Sequence, residues 1–195
     1  MPVRGPVPVN LATRQAAEVL KVGPMTIHVY EDGSRTGDRV SAILLELPAG
    51  VSGPPMHWHR FHDELFFVVK GTCRFVTPDA EVDATAGDLM TVPPGAIHTF
   101  KNASETEACE VYMTATPGHY FDYFRMLSKA GTEGKMLSKE EIEHLMALFG
   151  TFPPDNESEP VDLALRLTKI DDMLSQTPGH AKAMKTPLKL RHQLR

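Results

Sequence analysis

The sequence predicts an all-β fold, an antiparallel sandwich or barrel, followed by α-helices. Between Met25 and Thr116, short runs rich in β-branched and aromatic residues recur at intervals of about ten residues. Turns containing Gly or Pro separate these runs, and no stretch between them has room for the helical crossovers of a parallel sheet. After Pro117-Gly118 the apolar residues follow a helical spacing instead. We therefore expect one antiparallel β domain with helices appended at its C-terminal end.

The segment before the first predicted strand, residues 1–24, is expected to be an N-terminal arm. Met1–Val9 contains three prolines and a glycine, which is typical of an extended arm that packs on a neighbouring subunit or frays. Ala12–Lys21 has the composition of a helix that ends before Gly23-Pro24. The alternative for this second segment is that it leads directly into a strand.

The predicted barrel domain covers residues 25–117, and Gly, Pro and acidic turns bound its strands. Lys70-Gly71 separates two of these strands and is expected to form a hairpin turn that pairs them. The predicted strands are Met25–Tyr30, Val40–Leu47, His57–His59, Glu64–Gly71, Thr72–Pro78, Glu81–Asp88, Leu89–Val92, His98–Asn102 and Cys109–Thr116.

Residues 118–175 are expected to be helical. His119–Ala130 carries apolar residues at helical spacing, a capping box at Ser138 opens a second helix, and Val161–Leu174 forms a third. These helices either close one mouth of the barrel or form a dimer contact. Residues 176–195 contain basic but no acidic residues. This tail is expected to be solvated or to pack on a subunit, with weak docking to an anion as the alternative.

Composition limits the partners and the compartment. The formal net charge is -5, which gives no reason to expect nucleic acid or an anionic membrane as a partner. The N-terminus lacks the apolar core of a signal peptide, and no apolar run is long enough to cross a membrane. The two cysteines, Cys73 and Cys109, lack the C-x-x-C spacing. Two free thiols in a reducing compartment are therefore expected, with a single disulfide as the alternative, and the predicted location is cytoplasmic.

Four side chains form a candidate metal site. His57 and His59 are two residues apart, so on an extended strand both point to the same face. Glu64 begins the next extended run, and His98 belongs to a later strand. Three neutral imidazoles and one carboxylate suit one divalent transition metal, which could be Fe, Mn, Co, Ni, Cu or Zn. We predict that His57, His59, Glu64 and His98 bind a metal.

The neighbours of these residues have simpler expected roles. His62 is a rival ligand, but its position in a loop favours a surface role or a role beside the ligands. Asp63 should face away from Glu64 on an extended chain. Trp58 is expected to pack under the metal loop, and His28 to be a packed or surface histidine.

The spacing of these residues resembles the two signatures of the cupin superfamily. The first is His57-Trp58-His59, four residues, Glu64, six residues and Gly71. The second is Gly87, five residues, Pro93-Pro94-Gly95, two residues, His98, three residues and Asn102. One departure is Val51, which stands where the first signature usually has a glycine. The resemblance implies a jelly-roll barrel in which Gly71 and Gly95 serve tight turns and Asn102 caps a turn through its side chain.

The single barrel followed by TPGHYFDYF and helices resembles the quercetin 2,3-dioxygenase-like monocupins. In these relatives three histidines and one glutamate hold a divalent metal, which binds an enolised flavonol that reacts with O₂. The resemblance implies His57, His59, Glu64 and His98 as ligands, with Glu64 also the base that takes the substrate proton. Homodimers are common among small cupins and are expected here. Strand alternation offers the following candidates for an apolar pocket wall: Phe66, Val68, Phe100 and Met113.

The leading functional hypothesis is a metal-dependent oxygenase that acts on a small aromatic or enolisable compound. One alternative is a non-redox enzyme, namely an isomerase, epimerase, decarboxylase or cyclase such as those of natural-product biosynthesis, which uses the metal as a Lewis acid. Another is a protein that binds a small molecule without turnover. Turnover without O₂ distinguishes the first alternative, and saturable binding without product distinguishes the second.

Overall fold

The computed structural model describes residues 8–118, 120–135 and 137–155 of the chain. Within these ranges the chain forms eleven β-strands and two α-helices. The strands are β1 (Glu18–Val22), β2 (Met25–Glu31), β3 (Ser41–Leu47), β4 (Trp58–His59), β5 (Asp63–Lys70), β6 (Thr72–Val76), β7 (Glu81–Thr85), β8 (Leu89–Val92), β9 (Thr99–Asn102), β10 (Cys109–Thr116) and β11 (Thr151–Phe152). The helices are α1 (Phe121–Thr132) and α2 (Lys139–Leu148).

The strands form antiparallel sheets around a shared core. A six-stranded sheet has the order β1-β2-β3-β10-β5-β8, and a three-stranded sheet has the order β7-β6-β9. Strand β4 pairs with β11 in a separate two-stranded ladder. In β5 the inward residues Glu64, Phe66 and Val68 are buried, whereas Asp63 and Phe67 are exposed. This alternation is that of a sheet with one face on the core, and the predicted all-β antiparallel fold with C-terminal helices is confirmed.

The predicted hairpin between β5 and β6 is wrong. Strand β5 pairs with β10 and β8, whereas β6 pairs with β7 and β9 in the other sheet. The apolar faces of β5 and β6 meet across the core, where the rings of Phe66 and Phe75 lie 5.3 Å apart. Gly71 makes the corner with φ 75°, and a Cβ there would lie 2.9 Å from the carbonyl oxygen of Ala108. The turn therefore needs glycine, as predicted, but it connects strands of two different sheets and does not form a hairpin.

The helix predicted over Ala12–Lys21 is also wrong, and the alternative of a strand is correct. A single 3₁₀ turn at Arg14–Ala16 precedes β1. Strand β1 pairs along its length with β2 and buries Leu20, so backbone pairing and burial outweigh the local helix preference. The sheet therefore begins before residue 25, within the segment predicted to be an arm.

The two described helices are close to their predicted positions. Helix α1 packs against β1: the Lys21 amide donates to Ser128 Oγ at 3.1 Å, and the Arg125 guanidinium binds Glu18. The predicted capping box is present, since Ser138 Oγ accepts from the Glu141 amide and the Glu141 carboxylate accepts from the Ser138 amide. After α2 the chain turns into β11, which lies beside β4.

Other expectations have mixed outcomes. Cys73 and Cys109 are buried and are not joined in a disulfide. Among the described residues, no helix is long and apolar enough to cross a membrane. The predicted helix over Val161–Leu174 and the basic tail at 176–195 lie outside the described residues. The domain boundaries at residues 117 and 175 stay predictions.

Candidate metal centre

The four predicted ligands come together from separate segments of the barrel. His57 precedes β4 and forms an antiparallel bridge with His98, in which each backbone amide donates to the other residue's carbonyl at 3.0 and 2.8 Å. His59 belongs to β4, and Glu64 lies near the start of β5. All four side chains are buried, and one ligand atom from each lies within 4.8 Å of the others. The structure thus assembles the predicted set.

Two of the imidazoles are held in the orientation that metal binding needs. The Nδ1 atom of His57 lies 2.8 Å from the carbonyl oxygen of Pro55, and Nδ1 of His98 lies 3.0 Å from that of Ala96. A carbonyl oxygen only accepts hydrogen bonds, so each Nδ1 carries the proton. In a neutral imidazole this leaves a lone pair on Nε2, which faces the centre.

The third imidazole has a different partner. Nδ1 of His59 lies 2.9 Å from Oγ1 of Thr151, which belongs to β11. The sequence does not predict this contact. No local pattern marks the residue, since its position follows from pairing with β4.

Glu64 divides its two carboxylate oxygens between two sets of neighbours. Oε2 lies 3.1 Å from His59 Nε2 and 3.2 Å from His98 Nε2, whereas Oε1 lies 3.6 Å from His62 Nε2. Burial acts to raise the pKa of Glu64, but the coulombic attraction of His59 and the hydrogen bonds with His59 and His98 outweigh burial and hold the pKa well below its usual value. The carboxylate is therefore ionised at neutral pH.

The centre favours a bound cation on chemical grounds. Nε2 of His57 lies only 3.0 Å from Nε2 of His59. Burial, together with the neighbouring His59 and His98, lowers the pKa of His57 to about 3. Burial likewise lowers the pKa of His59. Neutral imidazoles with lone pairs beside an ionised carboxylate are the donor set of a divalent transition metal, so these residues fit the implied metal.

His62 is buried beside this cluster, and the expectation of a surface position is wrong. It is 5% exposed, and its ring lies 4.1 Å from that of His59 and 4.9 Å from that of Tyr120. Its Nε2 makes no hydrogen bond shorter than 3.5 Å to any residue that the structure describes. The alternative of a role beside the ligands agrees with this position.

Tyr120 covers the cluster at the start of α1. The Tyr120 ring is buried and packs edge-on against His59, with ring centroids 5.3 Å apart. Burial raises the pKa of Tyr120 well above its usual value, and a hydrogen bond with Thr151 acts in the opposite direction. Tyr120 belongs to the aromatic run at the start of the predicted helix, but no local pattern indicates its contact with a metal ligand.

The remaining neighbours are placed as expected. The Trp58 ring packs on Phe152 at 4.9 Å, away from the ligands. Asp63 is exposed. His28 lies outside the cluster, with Nε2 2.9 Å from Glu46 Oε1.

The four candidate pocket residues are all buried, but they differ in their relation to the cluster. Phe66 is near it, with its ring centroid 6.4 Å from that of His98. The Phe100 ring packs on that of Phe66, with centroids 5.4 Å apart. Met113 on β10 is the register partner of Phe66. Val68 lies further along β5, opposite Val111. Of the two aromatic candidates, Phe66 is therefore the one whose ring lies near that of a metal ligand, and the pocket role of all four stays a prediction.

A concave surface lies on the outer face of the six-stranded sheet, apart from the metal centre. This groove has a volume of about 820 Å³ and lies between the sheet and the N-terminal segment. Phe67 and Val69 line it and are 42% and 45% exposed. In the N-terminal segment, Val9 and Leu11 are also exposed.

Comparison with known proteins gives matches to the β domain. Residues 43–115 match the family described as the Cupin domain. A quercetin 2,3-dioxygenase from Bacillus subtilis (strain 168) is 25% identical over 71 residues, which are 36% of this chain and only 20% of that protein.

Two solved structures are similar in fold to a little more than half of this chain. A predicted oxalate decarboxylase from Thermotoga maritima has a TM-score of 0.50 at 16% identity, covering 55% of this chain and 99% of that one. The polyketide cyclase RemF from Streptomyces resistomycificus has a TM-score of 0.49 at 18% identity, covering 58% and 92%. Likeness at these identities concerns the fold alone.

Proposed function

Residues 43–115 of this chain form a cupin domain, and we propose that the chain is a metal-dependent oxygenase that acts on a small aromatic or enolisable compound with O₂. The observation that carries this proposal is the convergence of His57, His59, His98 and Glu64 in one buried centre. The partial match to a quercetin 2,3-dioxygenase supports an oxygenase among the activities that this fold hosts.

The proposed cofactor is one divalent transition metal, which could be Fe, Mn, Co, Ni, Cu or Zn. Nε2 of each histidine and Oε2 of Glu64 would hold it. A metal in this position would lower the pKa of a bound hydroxyl group and orient the substrate. The donor set does not select among these metals, so availability decides the occupant.

Glu64 is the proposed base. Its carboxylate is ionised, and Oε1 is turned away from His59 and His98 toward His62. It can therefore accept a proton from the hydroxyl group of a substrate that lies at the centre. His62 Nε2 is the neighbouring group that would hold the carboxylate oxygen in place. Loss of the proton makes an enolisable substrate electron-rich, and both oxygen atoms of O₂ can then enter it without an external reductant.

The surroundings of the centre favour an apolar, aromatic substrate. On one side lies Phe66, backed by Phe75 and Phe100 in mutual ring contact. On the other side lies Tyr120 at the start of α1. Such walls exclude water and offer aromatic faces for stacking.

The test is oxygen uptake by the metal-reconstituted protein over a panel of flavonols and related phenols, with product formation followed in air and without O₂. His98→Ala is the control that lacks one ligand. Uptake that depends on both substrate and metal supports the proposal. Product formed equally without O₂ would establish Lewis-acid chemistry instead, and saturable binding without product would indicate a binding protein.

We also propose a homodimer in which a second copy of this chain covers the outer groove of the six-stranded sheet. The groove and the N-terminal segment each expose apolar side chains, Phe67 and Val69 on one and Val9 and Leu11 on the other. Two copies would bury both sets. Phe67→Asp should shift the mass seen by light scattering to that of one chain. A dimer of unchanged stability in this variant would remove the groove as the interface.

The proposed location is the cytoplasm. Cys73 and Cys109 are both buried and are not joined in a disulfide, as expected in a reducing compartment. Cell fractionation with detection of the full chain tests this location, and recovery in a secreted fraction would overturn it.

A further inference from the structure

His59 is held from outside the region that matches the cupin domain, unlike the other two histidines of the centre. The Nδ1 atoms of His57 and His98 meet carbonyl oxygens of their own loops, each two residues earlier in the chain. Nδ1 of His59 instead meets the Oγ1 atom of Thr151, which is 92 residues away. The cupin match ends at residue 115, so Thr151 belongs to the C-terminal part of the described chain.

The position of Thr151 is fixed by backbone pairing. Thr151 stands directly opposite His59 in the antiparallel ladder of β4 and β11, where opposed side chains share a face. The Arg60 amide donates to the Gly150 carbonyl at 2.8 Å, and Trp58 Nε1 donates to the Pro153 carbonyl at 3.2 Å. The Thr151 side chain is fully buried, so water does not compete for its hydroxyl group.

A hydroxyl group gives His59 a freedom that the other two histidines lack. When Nε2 is to donate its lone pair to a metal, Nδ1 carries the proton and Oγ1 accepts it. When no metal is bound, Nε2–H of His59 can donate to Glu64 Oε2 at 3.1 Å, and Thr151 donates to Nδ1 instead. A carbonyl oxygen could serve only the first arrangement.

We propose that Thr151 is a positioning residue of the metal centre. Its hydroxyl group orients His59 and, by accepting a hydrogen bond from Nδ1, stabilises the His59 tautomer whose Nε2 binds metal. This inference rests on the metal site of the proposed function but not on its oxygenase activity. If Thr151 has this role, metal affinity depends on the pairing of β11 with β4, and therefore on the C-terminal segment that contains α2 and β11.

The test measures affinity for Zn²⁺ or Co²⁺ by chelator competition, without substrate, in the full chain. Thr151→Val keeps the shape and removes the hydroxyl group, so affinity should fall by about 10–100-fold. Thr151→Ser restores the hydroxyl group and should stay within about threefold of the unmodified protein. Thr26→Val is a matched control, because Thr26 is a buried threonine of β2 whose hydroxyl group accepts a hydrogen bond from Lys21 Nζ. Full affinity in Thr151→Val, or affinity in Thr151→Ser as low as in Thr151→Val, would overturn the proposal.

A second measurement needs no variant. Side-chain ¹⁵N NMR of the Zn²⁺-loaded protein should show a proton on Nδ1 of His59 that exchanges slowly with water. A proton on Nε2, with Nδ1 bound to the metal, would contradict the proposed role. If oxygen uptake is absent while Thr151→Val still weakens metal binding, the oxygenase proposal fails and the role of Thr151 stands.

Discussion

The Nε2 atoms of His57 and His59 lie 3.0 Å apart inside a buried site. His57 is held by the Pro55 carbonyl in the tautomer that leaves its Nε2 without a proton. A divalent metal between these atoms should therefore stabilise the folded chain. At about 100 times its dissociation constant, a metal that binds only the folded state adds about 2.7 kcal/mol to the free energy of unfolding. Thermal unfolding with and without metal measures this gain, and an equal gain in His57→Ala would contradict it.

The metal-free protein should lose stability in acid through the same site. Burial lowers the pKa of His57 to about 3 from an ordinary value of 6.5, so between these values the unfolded chain binds a proton that the folded chain does not. The contribution is complete above about pH 6.5 and is lost progressively as the pH falls toward 3. Denaturant titrations from pH 7 to pH 4 should show a steeper decline for the unmodified protein than for His57→Gln. Parallel declines would mean that His57 is not held neutral.

Glu64→Gln should abolish turnover while some metal is retained. The amide keeps one oxygen that can face the metal, but it cannot accept a proton from the substrate. Metal content and oxygen uptake are measured on the same preparation, with Glu64→Asp as a control that keeps a carboxylate on a shorter stem. Unchanged uptake in Glu64→Gln would remove the base role and leave Glu64 as a ligand only.

Asn102 should be among the residues whose loss costs most stability outside the metal centre. Its Nδ2 donates to the carbonyls of Leu47, Pro48 and Glu107, and its Oδ1 accepts from the Ser104 amide at 2.9 Å. Asn102→Ala leaves these groups without partners, at a cost of about 1–3 kcal/mol for a buried group. Chemical denaturation measures the loss. Asn102→Asp preserves the shape but turns a carboxylate oxygen toward the carbonyls, so a stable Asp variant would argue that packing, not hydrogen bonding, matters here.

The metal ligands could be predicted because the residue types and their spacing along short strands indicate a metal site. His57 and His59 share a face by strand alternation, and the alternation of β5 puts Glu64 on the same side as Phe66. The role predicted for Asn102 as a turn cap is confirmed, since its Oδ1 accepts from the Ser104 amide two residues later.

Thr151 and the pairing of β5 could not be predicted in the same way. The pair Thr151–Phe152 is too short to show alternation, and its meaning comes from a partner strand far away in the chain. Gly71 has the appearance of a hairpin turn, but the apolar faces of β5 and β6 are buried against each other only when the two strands lie in opposite sheets. The burial of His62 could not be predicted from its loop position, because it depends on where α1 places Tyr120.

Metal content is the most direct test of the central claim that His57, His59, Glu64 and His98 form one metal centre. Elemental analysis would be carried out after identical reconstitution on the unmodified protein, on His59→Ala and on His28→Ala, a histidine outside the cluster. We expect about one equivalent of metal per chain in the unmodified protein and in His28→Ala, and a large loss in His59→Ala. Full metal content in His59→Ala, or none in the reconstituted unmodified protein, would contradict the account.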